Sequence, residues 1–361
     1  MPMKQAITEK WLPDLSPDEP IHIAAVRTLK DRLRAVQYYL PLAAKKAEED
    51  VEHVHELRVW TRRATTALRL YQEVIPRRRL RWLKKQLRRI RRAANDARDS
   101  DVLIQRLKQK ALGHGTRRWL KAALAERAEA QGIIVAVHNR LRRDDRFARR
   151  IDKLLKRVAS RGKKQGRQAP RFGGWARERL WRAVLEFFAA APADPNDAAA
   201  LHQFRICGKQ FRYVIELLAA AFPDRLRTEL YPVVEKMQDQ LGDINDLVTA
   251  QAKLREKIKR ASKPAQATDW RRLLAAEQAQ FEQARHLFWD WCTPGMLKEL
   301  RGGFEALLSV QRGGKGSPNG TLSKVVPAPA AAPPLVTPGG MQDARLHAMR
   351  MSTTPTGTTG V

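Results

Sequence analysis

The sequence predicts an all-α protein made of two copies of one helical unit, and two observations support this. Apolar residues recur at helical spacing up to about residue 310. In addition, HQFRICGKQFR, which begins at His202, matches HELRVWTRRAT, which begins at His55, after a shift of 147 positions. The same shift, without insertion or deletion, superposes Pro223 on Pro76, Asp243 on Asp96 and Asp246 on Asp99. A register kept this long indicates an internal duplication.

Each helix is predicted from apolar residues three and four positions apart, and prolines or glycines mark the helix ends. Leu80, Leu83 and Leu87 recur in this way inside the basic run 77–92, so this run is predicted to be an amphipathic helix with one cationic flank. Pro41 is expected to kink the first helix. The predicted helices cover 21–40, 50–75, 77–107, 116–140, 142–158, 175–190, 198–221, 224–262, 268–291 and 294–310.

Composition also divides the chain. Residues 1–19 are predicted to be a loose lead-in, and the helical domain covers 20–312, with a first half at 20–160 and a second half at 171–312. Residues 313–361 are rich in Gly, Pro, Ala, Ser and Thr. Such a segment cannot bury enough apolar area to offset its ordering entropy, so it is predicted to be disordered.

The chain is strongly basic. Lys and Arg number 69 against 38 Asp and Glu, a formal charge of +31, which indicates a polyanionic partner such as nucleic acid, an anionic membrane surface or polyphosphate. Two cysteines, Cys207 and Cys292, cannot form a disulfide framework, and no spacing suggests a metal site or a cofactor. The sequence begins without a signal-like apolar run and has no stretch of about 18 uncharged apolar residues, so we expect a cytoplasmic protein without a membrane span.

The two related helices each carry a cationic face. On a helix, His202, Arg205, Lys209 and Arg212 fall within an arc of about 80°. The opposite face is apolar, and we expect it to be buried: Phe204, Cys207, Phe211, Val214, Ile215 and Leu218 in the second copy, and Leu57, Trp60, Ala64, Leu68 and Tyr71 in the first. One such stripe alone is more often a solvated surface, but its recurrence in the same residue order favours a binding function.

These histidine segments, each followed downstream by an aspartate-bearing segment (NDARDSDVLIQRL, then MQDQLGDINDLVTA), resemble the CHAD domain family of histidine-bearing α-helical domains. The resemblance covers about residues 20–312. It implies two four-helix bundles related by a pseudo-twofold axis, with a basic cavity that binds inorganic polyphosphate. Thr65 and Gln210 depart from the family pattern, in which both positions are usually basic.

Polyphosphate carries about one negative charge per phosphate, so it needs many cationic donors along a path, and the arginine fork suits this because it gives one phosphate two N–H bonds. The predicted binding residues are His55, Arg58, Arg62, Arg69, His202, Arg205, Lys209 and Arg212, with Arg88, Arg89 and Lys236 from neighbouring helices. Both histidines are expected to titrate near neutral pH, where a phosphate would favour their charged form. The alternative for each histidine is a packing role between helices.

Four aspartates accompany the stripes: Asp96, Asp99, Asp243 and Asp246. They could be catalytic acids or metal ligands, but carboxylates beside arginines more often hold the guanidinium groups in place. We expect Glu216, which replaces Arg69 in the second copy, to hold Arg212 in the same way.

The sequence therefore predicts a polyphosphate-binding protein without catalysis, associated with polyphosphate granules in the cytoplasm. The alternatives are a nucleic-acid-binding protein and a metal-dependent phosphohydrolase that uses the four aspartates. The chain has no G-x-x-x-x-G-K-[ST] loop and no G-x-S-x-G, and HELRV at 55–59 lacks the second histidine of H-E-x-x-H. Few aromatics accompany the cationic helices, which disfavours base stacking.

Overall fold

The apolar periodicity of the sequence produces helices throughout the described part of the chain. The structure is a computed structural model that describes residues 9–12, 15–108, 114–165, 168–194, 196–261 and 264–310. Within these ranges the regular secondary structure is helical, apart from an isolated bridge between Pro20 and Arg171. The prediction of an all-α protein is confirmed. Residues 313–361, predicted to be disordered, lie outside the described ranges.

The helices follow in this order: α1 (Ile21–Lys45), α2 (Glu52–Leu70), α3 (Arg77–Lys108), α4 (His114–Arg142), α5 (Arg146–Gln165), α6 (Phe172–Ala189), α7 (Ala198–Leu218), α8 (Tyr231–Lys259), α9 (Pro264–Trp291) and α10 (Pro294–Val310). Short 3-10 segments cover Arg143–Asp145 and Ala219–Ala221, and a π-helical turn, Leu226–Leu230, precedes α8. The π turn replaces the predicted continuous helix because Pro232 has no N–H to donate to the Thr228 carbonyl.

Other boundaries differ by a few residues. Helix α7 begins as predicted, because the Asp197 carboxylate accepts hydrogen bonds from the Ala199 and Ala200 amides at 2.9 Å. Helix α5 extends to Gln165, beyond the predicted end of its apolar repeat. Helix α1 continues through Pro41 to Lys45, beyond its predicted end at residue 40.

The lead-in was predicted to be loose, and this is wrong for its described residues. Leu12 and Leu15 are buried in the core. The fully buried Arg32 guanidinium donates to the Glu9 carbonyl at 2.9 Å and to the Lys10 carbonyl at 2.6 Å. A buried guanidinium needs acceptors, and the lead-in backbone supplies them, so this segment packs as part of the fold.

The predicted apolar faces form the core, with two exceptions. Leu57, Trp60, Ala64 and Leu68 of α2 and the following Tyr71 are buried, as are Phe204, Phe211, Ile215 and Leu218 of α7. Val214 is only partly buried against the core, and Cys207, also predicted to be buried, is half-buried. The neighbouring Gly208 is the buried residue, because Gln238 of α8 approaches it so closely that a side chain would collide.

Packing between helices determines where the site forms. In the predicted first half, α1 packs against α2, α4 and α5, while α3 packs against α2 and α4. In the predicted second half, α7 packs against α6 and α8, α9 packs against α8, and α10 packs against α6. Contacts between these two sets of helices include those of α2 with α7, α4 with α9 and α1 with α6. Because α2 and α7 are the two histidine helices, their cationic residues come together.

Candidate functional site

Four cations from the two histidine helices form a cationic cluster: Arg58 and Arg62 of α2 with Arg205 and Lys209 of α7. Burial, followed by the positive charges of Arg205, Arg62 and Arg58, lowers the pKa of Lys209 to about 6, and the negative charge of Asp246 offsets only part of this shift. The pKa of a lysine falls this far only where the ammonium group is shielded from water and other positive charges are close to it. The structure therefore brings together these four predicted residues.

The cluster has fewer carboxylates than cations. Asp99 forms an ion pair with Arg58 at 3.4 Å. The negative charge of Asp246 acts to raise the pKa of both Arg58 and Arg205. Burial, followed by Arg62, still lowers the pKa of Arg58 to about 10. The buried Nε of Arg205 has no hydrogen-bond partner among the described residues. Desolvated cations with unused donors attract an anion strongly, since water no longer satisfies them.

The two histidines lie beside the cluster in their neutral form. Burial lowers the pKa of His55 to about 4, with Arg98 and Arg58 adding to the effect. Burial and Arg205 also lower the pKa of His202, against a hydrogen bond with Asn245. The expectation of titration near neutral pH is therefore wrong for His55, and the pKa of His202 shifts in the same direction, because burial and nearby arginines disfavour the imidazolium.

The positive charge continues away from the cluster through cations of α2 and α3. Burial lowers the pKa of Arg69, and Arg88 adds to that effect. Arg91 and Lys84 join them: burial and Arg62 lower the pKa of Arg91, and burial and Arg69 lower that of Lys84. We call these four residues (Arg69, Lys84, Arg88 and Arg91) the cationic track. The sequence analysis missed Arg91 and Lys84, although each lies one helical turn from Arg88.

On α7, the cationic face ends at Arg212, and carboxylates surround this residue. Arg212 lies 3.6 Å from Glu216, 3.9 Å from Glu235 and 3.6 Å from Asp239. Burial alone would lower its pKa, but Tyr231 and Glu216 outweigh burial and the pKa is raised. The contact between Glu216 and Arg212 confirms the prediction for that pair. Arg212 is thus already neutralised.

A buried network missed by the sequence analysis supports this end. The Nε of Arg63 donates to Glu216 at 2.6 Å, and the Tyr231 hydroxyl donates to the same carboxylate at 2.7 Å. Tyr231 also lies 3.0 Å from Glu235, which pairs with Lys10 at 3.2 Å. Arg63 directly follows Arg62 in the basic motif. The sequence therefore did not indicate that Arg62 belongs to the cationic cluster and Arg63 to a buried ion pair.

Two further predicted residues lie elsewhere. Arg89 donates to Gln86 at 3.3 Å and lines a depression on another flank of α3, with Arg140 and Arg146. Lys236 lies with its Nζ 4.6 Å from the Trp291 ring centroid. The structure therefore assigns neither of them to the cationic cluster or the cationic track.

The four aspartates divide into two pairs. Asp99 and Asp246 face the cluster, whereas Asp96 lies near Lys253 and Asp243 near Arg106. Burial, and then the neighbouring aspartate in each case, raises the pKa of Asp96 and Asp243. Within the described ranges, no three His, Cys, Asp or Glu side chains are grouped so as to hold a metal ion. Nor is any helix of the described ranges long and apolar enough to cross a bilayer.

The chain is similar to one family model and to solved structures. The family model "CHAD domain" matches residues 27–255. The crystal structure of the CHAD domain from the plant Ricinus communis is 22% identical, with a TM-score of 0.61 over 83% of this chain and 96% of that one. PptA from Streptomyces chartreusis is 19% identical, with a TM-score of 0.49 over 75% of this chain and 98% of that one. A search of curated proteins finds no match.

Proposed function

We propose that this chain, which belongs to the CHAD domain family, binds inorganic polyphosphate along the cationic cluster and the cationic track. The observation that carries the proposal is the desolvated cluster itself, in which α2 and α7 bring four cations together and, among the described residues, Asp99 and Asp246 are the carboxylates that act on them. Such an arrangement costs free energy in the empty protein, and a bound polyanion removes that cost.

The shape of the charge favours a chain of phosphates over a single anion. The cluster and the track together run from α7 across α2 to α3, so successive phosphates can each meet a guanidinium or an ammonium group. Arginine predominates, and its fork can bind one phosphate through two N–H groups. No step of this binding requires a bond to break, and we propose that the chain binds polyphosphate without hydrolysing it.

The proposed architecture is two four-helix bundles related by duplication and a pseudo-twofold axis, with halves at 20–160 and 171–312. The helix starts support it under the shift of 147 positions. Helix α2 begins at Glu52 and α7 at Ala198, while α5 begins at Arg146 and α10 at Pro294. Each pair agrees to within one residue. We further propose that the protein acts in the cytoplasm, in association with polyphosphate granules.

Competition between long-chain polyphosphate and duplex DNA at physiological salt, about 0.15 M, tests the proposal. We expect polyphosphate to bind more than tenfold tighter, because a recessed cluster admits a thin chain more readily than a duplex. Equal affinities would instead support a general nucleic-acid-binding protein.

A second assay tests the absence of catalysis. Polyphosphate is incubated with the protein for hours in the presence of magnesium, manganese or zinc, and released phosphate is measured. We expect none. Release that Asp99→Asn abolishes would establish the phosphohydrolase alternative.

A further inference from the structure

A second group of cations lies apart from the cationic cluster, where α3 meets the junction of α4 and α5. Here a depression of about 180 Å³ is lined by Trp82, Lys85, Gln86, Arg89, Arg140, Leu141 and Arg146. On α3, the mean direction of Trp82, Lys85 and Arg89 is about 120° around the helix from that of Lys84, Arg88 and Arg91. The depression therefore opens on a different flank from the cationic track.

The cations of this depression have no ion-pair partners within the described part of the chain. No described carboxylate forms an ion pair with Lys85, Arg89, Arg140 or Arg146, whereas Arg58 of the cationic cluster pairs with Asp99. The only hydrogen bond of Arg89 in the described ranges goes to the neutral Gln86. On the rim, the Arg150 guanidinium lies 5.2 Å from the Trp82 ring centroid, which holds a fifth cation in place.

The turn between α4 and α5 sets this geometry. Asp144 and Asp145 have φ values of 55° and 48°, a left-handed conformation that is uncommon outside glycine. Across this turn, Arg140, before it, and Arg146, after it, line the same depression. The two aspartates line an adjoining depression with Asn139, Arg142 and Arg143, where their charge partly offsets the basic flank.

The second copy of the duplicated unit does not repeat this feature. The shift of 147 positions places Leu287 on Arg140, Thr293 on Arg146 and Leu297 on Arg150. The same shift places Pro232 on Lys85 and Lys236 on Arg89. Four of the five cations thus have uncharged counterparts in a unit that forms corresponding helices. Folding of the unit does not require these charges, which points to a role in binding.

We propose that this depression is a second phosphate-binding site that takes a short segment of inorganic oligophosphate. Its volume suits a few phosphate groups rather than a long chain, and its converging guanidinium groups suit tetrahedral oxyanions. The ligand is either a free oligophosphate or a second stretch of a chain already held at the cationic cluster. Only this last alternative rests on the function proposed above.

Calorimetric titration with tripolyphosphate tests the site. We expect two sites in the unmodified protein and one in the Arg140→Gln/Arg146→Gln variant. The Arg58→Gln/Arg205→Gln variant should retain the site in the depression. Lys153→Gln/Lys156→Gln on α5, which removes the same charge outside the depression, is the matched control and should retain both sites. If the Arg140→Gln/Arg146→Gln variant keeps both sites with affinities within twofold of the unmodified protein, the inference is wrong.

The same variants separate failure of this site from failure of the proposed function. Loss of tripolyphosphate binding in the depression variant alone, with the cluster variant unchanged, would support the second site while refuting the cluster. A long-chain titration distinguishes the two sources, because a chain that spans both sites should bind at least tenfold more weakly after either double substitution.

Fluorescence provides a readout that does not depend on affinity. Tripolyphosphate should change tryptophan emission in the unmodified protein and much less in Trp82→Phe, a substitution mild enough to preserve packing. A short single-stranded DNA that saturates this signal at tenfold lower concentration than tripolyphosphate would assign the depression to nucleic acid and overturn the proposal.

Discussion

Arg63 of α2 and Glu216 of α7 form an ion pair of 2.6 Å whose side chains are only 8% and 0% exposed. Arg63 also lies 4.7 Å from the Trp60 ring centroid, and Glu216 accepts a hydrogen bond from Tyr231. A buried pair of this kind can form only when its two helices lie in one register. It therefore fixes how the cations of α2 face those of α7.

Removing one partner should destabilise the protein. Glu216→Leu leaves a buried guanidinium unpaired, and we expect the free energy of unfolding to fall by about 3–5 kcal/mol. Glu178→Leu is the control: it removes an exposed pair with Arg182 and should cost less than about 1 kcal/mol. Denaturant titration measures both. Arg63→Met/Glu216→Leu should recover most of the loss, and equal costs for the two single variants would contradict the role of the pair.

Reversing charge at equivalent positions of the cluster should weaken polyphosphate binding equally. Arg58→Glu and Arg205→Glu each remove a contact worth about 1.5–3 kcal/mol, as for a charged hydrogen bond. Lys153→Glu and Lys156→Glu make the same charge change on the exposed surface of α5, where salt screens charges beyond about 8 Å. Equilibrium binding reports the difference, and circular dichroism checks folding. Equal losses in all four variants would mean a diffuse basic surface.

Substitution of Arg69 and of Arg212, which end the cationic faces of α2 and α7, should affect polyphosphate binding differently. Arg69 lies among cations, whereas Arg212 already contacts three carboxylates. Arg69→Gln should therefore weaken polyphosphate binding by about tenfold, the loss of one charged hydrogen bond. Arg212→Gln should change it less than twofold while lowering the melting temperature. Binding and thermal melts of both variants decide the matter, and a larger binding loss in Arg212→Gln would show that the anion path continues into the second half.

Lys209 should take up a proton when polyphosphate binds. Its pKa in the empty protein is about 6, so the side chain is mostly neutral at pH 7.5, and a phosphate beside it raises the pKa. Affinity should consequently fall as pH rises above about 6. Calorimetry at pH 7.5 in buffers with different ionisation enthalpies measures the uptake. Lys209→Gln should abolish it, and uptake that persists in this variant would assign the proton elsewhere.

The same shift also makes stability depend on pH. The pKa of Lys209 in the folded chain is below its unfolded value of about 10.4, so the unfolded chain binds more protons between pH 6 and 10. Stability from this residue therefore increases with pH across that window. Lys209→Met should stabilise the empty protein at pH 7, and denaturant titration at pH 6 and pH 9 should show a smaller difference in the variant.

Much of this molecule could be predicted from local patterns. The helices follow apolar periodicity, and the cluster follows from one motif repeated at a fixed shift. The partner of Arg63 could not be predicted, because Glu216 is 153 positions away and a buried ion pair has no sequence signature. The hydrogen-bond acceptors of Arg32 could not be predicted either. They are backbone carbonyls, which every residue has, so the sequence does not mark them. In the basic run, the side chains of Arg88 and Arg89 leave the helix axis about 100° apart. Only the packing of α3 against other helices decides that Arg88, and not Arg89, belongs to the cationic track.

The Arg63–Glu216 pair also has an evolutionary consequence under the proposed duplication. The shift of 147 positions relates Arg63 to Gln210 and Glu216 to Arg69. A homodimer of the first half would place Arg63 opposite Arg69, two like charges, and a homodimer of the second half would leave Glu216 facing an amide. Under that duplication, we expect the two copies to depend on each other for this contact. If 20–160 and 171–312 were expressed as separate fragments, each would assemble with the other and not with itself.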